Sequence, residues 1–390
     1  MFQKFILVIG LWILVFNDAS CFAEARKLRF FNIDLHIAVI GDLKDIFESL
    51  GHEVESKSIS GHAWVLGKDK DKPKVINEKN WENLNPEMAE QFYQEYKDYL
   101  SQFDGFIVTH ATSFALLYEK FNKPIIIVNS TRYENNFVKD PVRWKWLNNF
   151  LIKGVNENRI FIISNNKGDQ AYLKYYTGLD SELIPNLCLY TKAVYTGKNK
   201  GFIMKGVRRR FNPSPSLFKN PELIQNNQLP KNYKWQELYD FQGVIHFPYN
   251  ISTMSVFEQY SANVPLFFPS KDFLLKLRAA YPKAILSELS FYQVFKMKPP
   301  KEKNNPDNTN DPKVIQKWID EADFYDQENM PYIQYFDSFS DLENKLENSD
   351  LKLISSQMKK HNEQRKKIVY KKWQEILDKI MQTYKNATVS

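Results

Sequence analysis

Short apolar runs alternate with amphipathic stretches along most of the chain. Residues 27–33 (Lys-Leu-Arg-Phe-Phe-Asn-Ile) read as a strand, with Asp34 as the N-cap of a helix. Ile37, Ile40, Leu43, Phe47 and Leu50 then recur at helical spacing, and Gly51 stops the helix. His52-Glu53-Val54 opens a weaker second strand running toward Ser60-Gly61-His62. That is a β-α-β unit, the seed of a parallel sheet. The alternation continues with an amphipathic helix at 86–101, whose Met88, Phe92, Tyr96 and Leu100 share a face. A strand at 106–109, a helix at 113–121, a strand at 124–128 and a helix at 144–151 follow. A strand at 160–163, a helix at 169–176 and a strand at 181–190 complete the series. Strands apolar on both faces between helices predict a doubly wound sheet.

Near 195–200 the chain turns polar and glycine-bearing, which marks a domain boundary. A second alternation follows, with strands at 201–204, 243–246 and 265–268 and a helix at 253–262. The stretch 299–312, rich in Pro, Asn and Lys, reads as a loop, and 355–383 as a long basic amphipathic helix. A chain of 390 residues exceeds what one core usually organises. The expected fold is therefore α/β with two Rossmann-like, doubly wound domains. Residues 24–195 form the first, 196–354 the second, and 355–390 the terminal helix and tail.

The N-terminus departs from this pattern. Lys4 precedes the apolar run Phe5–Phe16, which is too short to span a bilayer comfortably, and Cys21-Phe22-Ala23 resembles a cleavage site. Residues 1–23 thus read as a signal peptide cleaved after Ala23; the rival is a short anchor that attaches the chain to a membrane. Asp18 speaks against both the anchor and a lipoprotein reading of Cys21. Cleavage leaves Cys188 as the one cysteine, with no internal disulfide, and its apolar setting predicts a buried, inert thiol. The secretory-pathway lumen (endoplasmic reticulum or Golgi) or secretion is the expected location. Asn-x-Ser/Thr occurs at Asn129, Asn250 and Asn386, of which the tail residue Asn386 is the credible glycan acceptor.

With 43% hydrophobic residues the chain is not disordered. A net charge of +7 without a basic block, and no zinc spacing, set nucleic acid aside as a partner. In open α/β sheets, ligands bind past the carboxyl ends of the strands. In the first domain those positions hold Asp34 and His36, then Ser60, Gly61 and His62, then His110, then Asn129, Ser130, Thr131 and Arg132. In the second they hold Lys205 with Arg208, Arg209 and Arg210, then His246 with Tyr249 and Asn250. Four of the six histidines fall at strand ends. Any one could be a buried, hydrogen-bonded histidine; as a set they suggest a cleft between domains. Their spacing is no metal motif, so no metal is expected. Lys205 and Arg208–Arg210 suit a diphosphate, or form a solvated surface.

The most specific segment is 248–269, Pro-Tyr-Asn-Ile-Ser-Thr-Met-Ser-Val-Phe-Glu-Gln-Tyr-Ser-Ala-Asn-Val-Pro-Leu-Phe-Phe-Pro. A hydroxyl-rich turn leads from the strand ending at His246 into a helix, whose first N–H groups form an anion site. Pro265 then opens the next strand. The segment resembles the nucleotide-sugar motif of GT-B glycosyltransferases, in which a glutamate opens a helix, is followed by a small-residue turn and leads into a proline-started strand. The resemblance implies the GT-B plan, with the terminal helix returning to the first domain. It implies that Glu258 holds the donor's ribose hydroxyls and that backbone groups around Ser252, Thr253 and Ser255 hold the diphosphate. His246, Tyr249, Asn250, Lys205 and Arg208–Arg210 complete the donor set. Retaining members often carry a second glutamate eight positions earlier, where this chain has Asn250. Another reading makes Ser255-Val256-Phe257-Glu258 a capping box, with Glu258 binding no ligand.

The expected function is then a metal-independent glycosyltransferase of the hexosyl or deoxyhexosyl class. It would move sugar from a nucleotide sugar to a hydroxyl of a glycan or glycoprotein, with no cofactor besides that donor. His110 and His62, then Asp34 and His36, are candidates for the base that an inverting reaction needs. The alternatives are a non-catalytic lumenal relative that binds nucleotide or carbohydrate, and a sugar-nucleotide epimerase. A two-lobed solute-binding protein fits less well, because the chain shows one clear crossing between lobes plus the terminal helix.

Overall fold

The computed structural model describes residues 26–60, 73–137, 140–205, 211, 213, 222–230, 233–287, 308 and 311–389; the side chains of 34 and 385–390 are not described. The first lobe runs β1 (Arg29–Asp34), α1 (Ile37–Ser49), β2 (Glu53–Ser58), α2 (Pro86–Leu100), β3 (Gly105–Val108), then β4 (Ile125–Asn129). It ends with α3 (Pro141–Asn156), β5 (Ile160–Ser164), α4 (Lys167–Thr177) and β6 (Glu182–Leu183). The strands form one sheet in the order β2-β1-β3-β4-β5-β6, every pair parallel.

Local chemistry sets the helix ends. Asn85, Asp140 and Asn166 cap α2, α3 and α4 through their side-chain oxygens, and Pro86 and Pro141 occupy first-turn positions where no N–H is needed. Gly51, past the end of α1, takes a φ of 87°, which other residues adopt at a cost. Along the strands, alternate residues enter opposite cores. Phe106, Val108, Ile125 and Ile127 pack on one face of the sheet, while Ile107, Ile126, Val128 and Ile163 pack on the other.

Four local expectations are corrected. The N-cap of α1 is His36, without a side-chain cap bond, so Asp34 is the last residue of β1. The helix at 112–121 is a 3-10 helix, Thr112–Phe121. Helix α3 begins one turn earlier than the apolar spacing suggested, because Asp140 and Pro141 start it. The strand at 181–190 shrinks to Glu182–Leu183, followed by a 3-10 turn at Leu189–Thr191. The reason lies in Asp42 on α1, whose buried carboxylate accepts from Leu187 N (3.0 Å) and Cys188 N (2.6 Å). Those N–H groups are therefore spent on a side chain and cannot extend the ladder.

The second lobe contains β7 (Asn199–Lys205), β8 (Leu223–Gln225), α5 (Trp235–Tyr239), β9 (Phe241–His246), α6 (Met254–Ser261), β10 (Leu266–Pro269) and α7 (Lys271–Ala280). It continues through α8 (Pro312–Asp320), β11 (Gln334–Phe336), α9 (Phe339–Asn348) and α10 (Leu351–Val389). Its sheet is parallel throughout, in the order β8-β7-β9-β10-β11. Helix α10 ties the lobes together. Ile354 and Met358 lie in the second-lobe core, whereas Val369, Trp373, Ile376, Leu377 and Ile380 lie in the first-lobe core. The molecule thus has two doubly wound lobes and a terminal helix returning to the first, the GT-B arrangement.

Candidate functional site

Both sheets reverse their winding at the same topological position. In the first lobe the chain passes from β1 outward to β2 and then inward to β3, so a crevice opens past the ends of β1 and β3. In the second lobe the corresponding crevice lies past β7 and β9. The candidate residues collect at these two points. His36 follows β1 and His110 follows β3, and their rings lie 5.2 Å apart. Lys205 ends β7 and is the register partner of His246, which ends β9.

Past Lys205 and His246 lies a cavity of about 220 Å³, lined also by Asn226, Tyr249, Thr253 and Ser255. His246 is held rigidly. Its Nε2 meets Gln259 Oε1 at 2.7 Å, and its ring stacks on Phe268 at 4.6 Å. Burial, with the Lys205 charge beside it, pushes its pKa down to about 3, so the ring is neutral. Burial also lowers the pKa of Lys205, against the pull of the Glu258 carboxylate. Thr253 is the N-cap of α6 and makes no side-chain cap bond. The start of α6, with no side chain capping its first turn and with its positive dipole end, therefore opens beside the cavity next to a lysine.

Glu258 lies one turn further along α6. It is not a cap: with Thr253 as N-cap it is the fifth residue of the helix, so the capping-box reading fails. Its Oε1 accepts from Tyr190 Oη at 2.6 Å and its Oε2 from Trp235 Nε1 at 3.2 Å. Burial raises its pKa, opposed first by the Tyr190 hydrogen bond and then by Lys205, Trp235 and His36. His36, a first-lobe residue, is among the groups whose charge acts on Glu258, which does not itself line the cavity.

Other expected site residues fall elsewhere. Asn250 Oδ1 accepts from Ile251 N at 2.7 Å and shapes the turn. Ser252 bonds the buried carboxyl of Asp323. Neither lines the cavity. Ser60 bonds Ser58 at 3.0 Å. Asn129 Nδ2 donates to Asp169 O at 3.2 Å, and Arg132 pairs with the Asp169 carboxylate. Its guanidinium lies over Tyr172 and, across the lobe boundary, Trp318. Arg132 therefore serves packing between the lobes. Asp34 ends β1. Gly61, His62, Arg208, Arg209 and Arg210 lie outside the described residues. Cys188 is free and buried, and burial drives its thiol pKa well up. Among the described residues no three His, Cys, Asp or Glu converge as a metal site would, and no helix is long and apolar enough to cross a membrane.

No family model matches the chain, and no curated protein matches it significantly in sequence. Solved structures resemble it distantly. A glycotransferase of kitacinnamycin is 9% identical, with 91% of this chain and 100% of that one covered and a TM-score of 0.41. A UDP-N-acetylglucosamine 2-epimerase is 11% identical (79% and 92% covered, TM-score 0.40). The spinosyn rhamnosyltransferase SpnG is 13% identical (86% and 96% covered, TM-score 0.38). At such distances the fold is better read from the strand order itself.

Sequence reasoning missed Tyr190, Trp235 and Arg365. Tyr190 sat in a run read as strand, and Trp235 carried no motif. Arg365 is buried on α10, where it donates to Asn329 Oδ1 (2.7 Å), Ser261 Oγ (3.0 Å) and Asn186 O. It joins the lobes from the middle of a helix that reads only as basic.

Proposed function

We propose that the protein is a glycosyltransferase that moves a sugar from a nucleotide-sugar donor, bound in the second lobe, to a hydroxyl of a glycan or glycoprotein at the first. The observation that carries this reading is the pairing of Lys205 and His246 in register at the second switch point, across a cavity from the start of α6. A lysine ammonium and helix N–H groups are suited to a diphosphate, and they stabilise the charge that develops on it as the sugar leaves. His246, being neutral, can hydrogen-bond without adding charge. Glu258 is the candidate for the ribose hydroxyls. His110 and His36 are the candidates for the base: one takes the acceptor's proton, the acceptor oxygen bonds the anomeric carbon, and the bond to the diphosphate breaks. This is inverting chemistry, favoured because Asn250 is engaged in its own turn where a retaining enzyme would place a glutamate. Neither a metal nor a further cofactor enters the reading. The N-terminal segment supports work in the secretory lumen or outside the cell, and its retention would hold the chain at a membrane.

Calorimetry with uridine and guanosine diphosphates tests the proposal. One of them should bind the wild type, and Lys205→Ala should weaken it about ten- to hundredfold, as expected for losing a charged hydrogen bond. Binding of neither would overturn the reading. Conversion of a free nucleotide sugar without any acceptor would favour an epimerase instead. Binding with neither activity would leave a carbohydrate- or nucleotide-binding relative.

A further inference from the structure

Tyr190 stands where three parts of the molecule meet. It lies in the 3-10 turn Leu189–Thr191, just beyond the last strand of the first sheet. Its hydroxyl donates to Glu258 of the second lobe at 2.6 Å. Its ring meets Trp235 edge-on, centroids 5.4 Å apart and planes at 89°. Its other side rests on α1, where a Cβ added to Gly41 would come within 3.0 Å of the Tyr190 ring.

The turn that carries Tyr190 is itself fixed from α1. Asp42, next to Gly41, holds Leu187 N and Cys188 N, and its other bond, from Asn186 Nδ2 at 2.7 Å, steadies the same segment. Cys188 and Lys192, flanking the turn, take left-handed φ values of 56° and 51°. Such conformations persist only where the surroundings impose them. Helix α1 therefore sets the position of the Tyr190 hydroxyl twice, through the backbone by Asp42 and through the ring by the missing side chain of Gly41.

We propose that Tyr190 is a positioning residue for Glu258, turning its carboxylate toward the ribose of a bound nucleotide, so that a first-lobe residue sets the preference for ribose over deoxyribose. This rests on the reading of Glu258 as the ribose-holding group. Each carboxylate oxygen has two acceptor positions. Tyr190 takes one on Oε1 and Trp235 one on Oε2, which leaves one on each oxygen for a pair of vicinal hydroxyls. The two donors fix the plane of the carboxylate. With the Tyr190 hydroxyl gone, the carboxylate can rotate toward Lys205, and the hydroxyl pair is no longer matched.

The test measures the affinities of the full chain for uridine and guanosine diphosphates and for their 2′-deoxy forms, in wild type, Tyr190→Phe and Gly41→Ala. Wild type should prefer the ribose form of the nucleotide it binds by about tenfold, the worth of a hydrogen bond to a charged group. Tyr190→Phe should lose most of that preference while the 2′-deoxy form binds as before. Gly41→Ala, which displaces the Tyr190 ring without touching ligand, should lower the ratio in the same direction by less. A ratio unchanged in Tyr190→Phe, or equal weakening of both forms, would overturn the proposal and leave Tyr190 as a tie between lobes. Binding of no nucleotide by wild type would overturn the glycosyltransferase reading together with it, so the two failures are distinguishable.

Discussion

The two lobes share a winding plan and differ in what they place at its turning point. Their strand orders match, β2-β1-β3-β4-β5 in one and β8-β7-β9-β10-β11 in the other, the first sheet adding β6. Each plan opens a crevice between its first and third strands. In the first lobe two imidazoles stand 5.2 Å apart there, with His36 exposed and His110 half-buried. In the second a lysine and a buried, neutral imidazole stand beside a helix start. Topology makes a crevice in both cases, and the side chains at two strand ends decide whether it suits proton transfer or an anion.

Separating those roles should give the largest effect. His110→Ala and His36→Ala together are expected to lower sugar transfer by about 10²–10⁴, the usual worth of a general base, with nucleotide affinity unchanged. Steady-state rates beside calorimetry on the same variant would show the split. Equal loss of both would mean that the lobes do not divide the work in this way.

A smaller effect concerns what holds the lobes together. Arg365→Ala leaves Asn186 O, Ser261 and Asn329 without a buried donor. It should cost about 3 kcal/mol, since each abandoned buried partner costs about 1–3 kcal/mol. Denaturant unfolding followed separately by far-ultraviolet circular dichroism and by tryptophan fluorescence should lose its coincidence, because one transition would become two. A wild-type midpoint in Arg365→Ala would show that α10 holds the lobes through its apolar residues alone.

The smallest effect is set by pH. His246 is neutral when folded down to about pH 3 but protonates near 6.5 when unfolded. Between those values the unfolded state binds one more proton, so stability falls as the pH drops, by about 1.4 kcal/mol per unit. Asp42 acts with the opposite sign. Burial raises its pKa from 3.8 to about 6, so the folded state holds the extra proton in that window and gains stability as the pH drops. Comparing wild type with His246→Gln cancels the Asp42 contribution. The variant should lose less stability than wild type between pH 7 and pH 5, by about 2 kcal/mol. Equal losses would mean that His246 protonates freely in the folded chain.

Most of the fold was legible in the chain. Period and run length located β1, β3, β4 and β5 within a residue or two, because strands buried on both faces must be apolar at every position. Strand ends pointed to residues that the fold does bring together, His36 with His110 and Lys205 with His246. Asp34 was misjudged as a cap, because β1 runs on through it and nearness to a strand end does not locate the cap. Asn250 spends its Oδ1 on the next backbone N–H. Tyr190 and Trp235 were invisible because their partner, Glu258, is 68 and 23 residues away.

The sequence by itself determined the alternation of strands and helices, the presence of two such series and the helix start after His246. All of these rest on periodicity and turn chemistry acting over a few residues. Only the tertiary structure decided that Glu258 is gripped by Tyr190 and Trp235 and is no cap. Only it showed that 186–188 answers to Asp42 instead of a neighbouring strand, and that Arg365 stands between the lobes. Those choices come from buried polar groups seeking partners wherever packing brings one within reach, and sequence distance does not govern which partner that is.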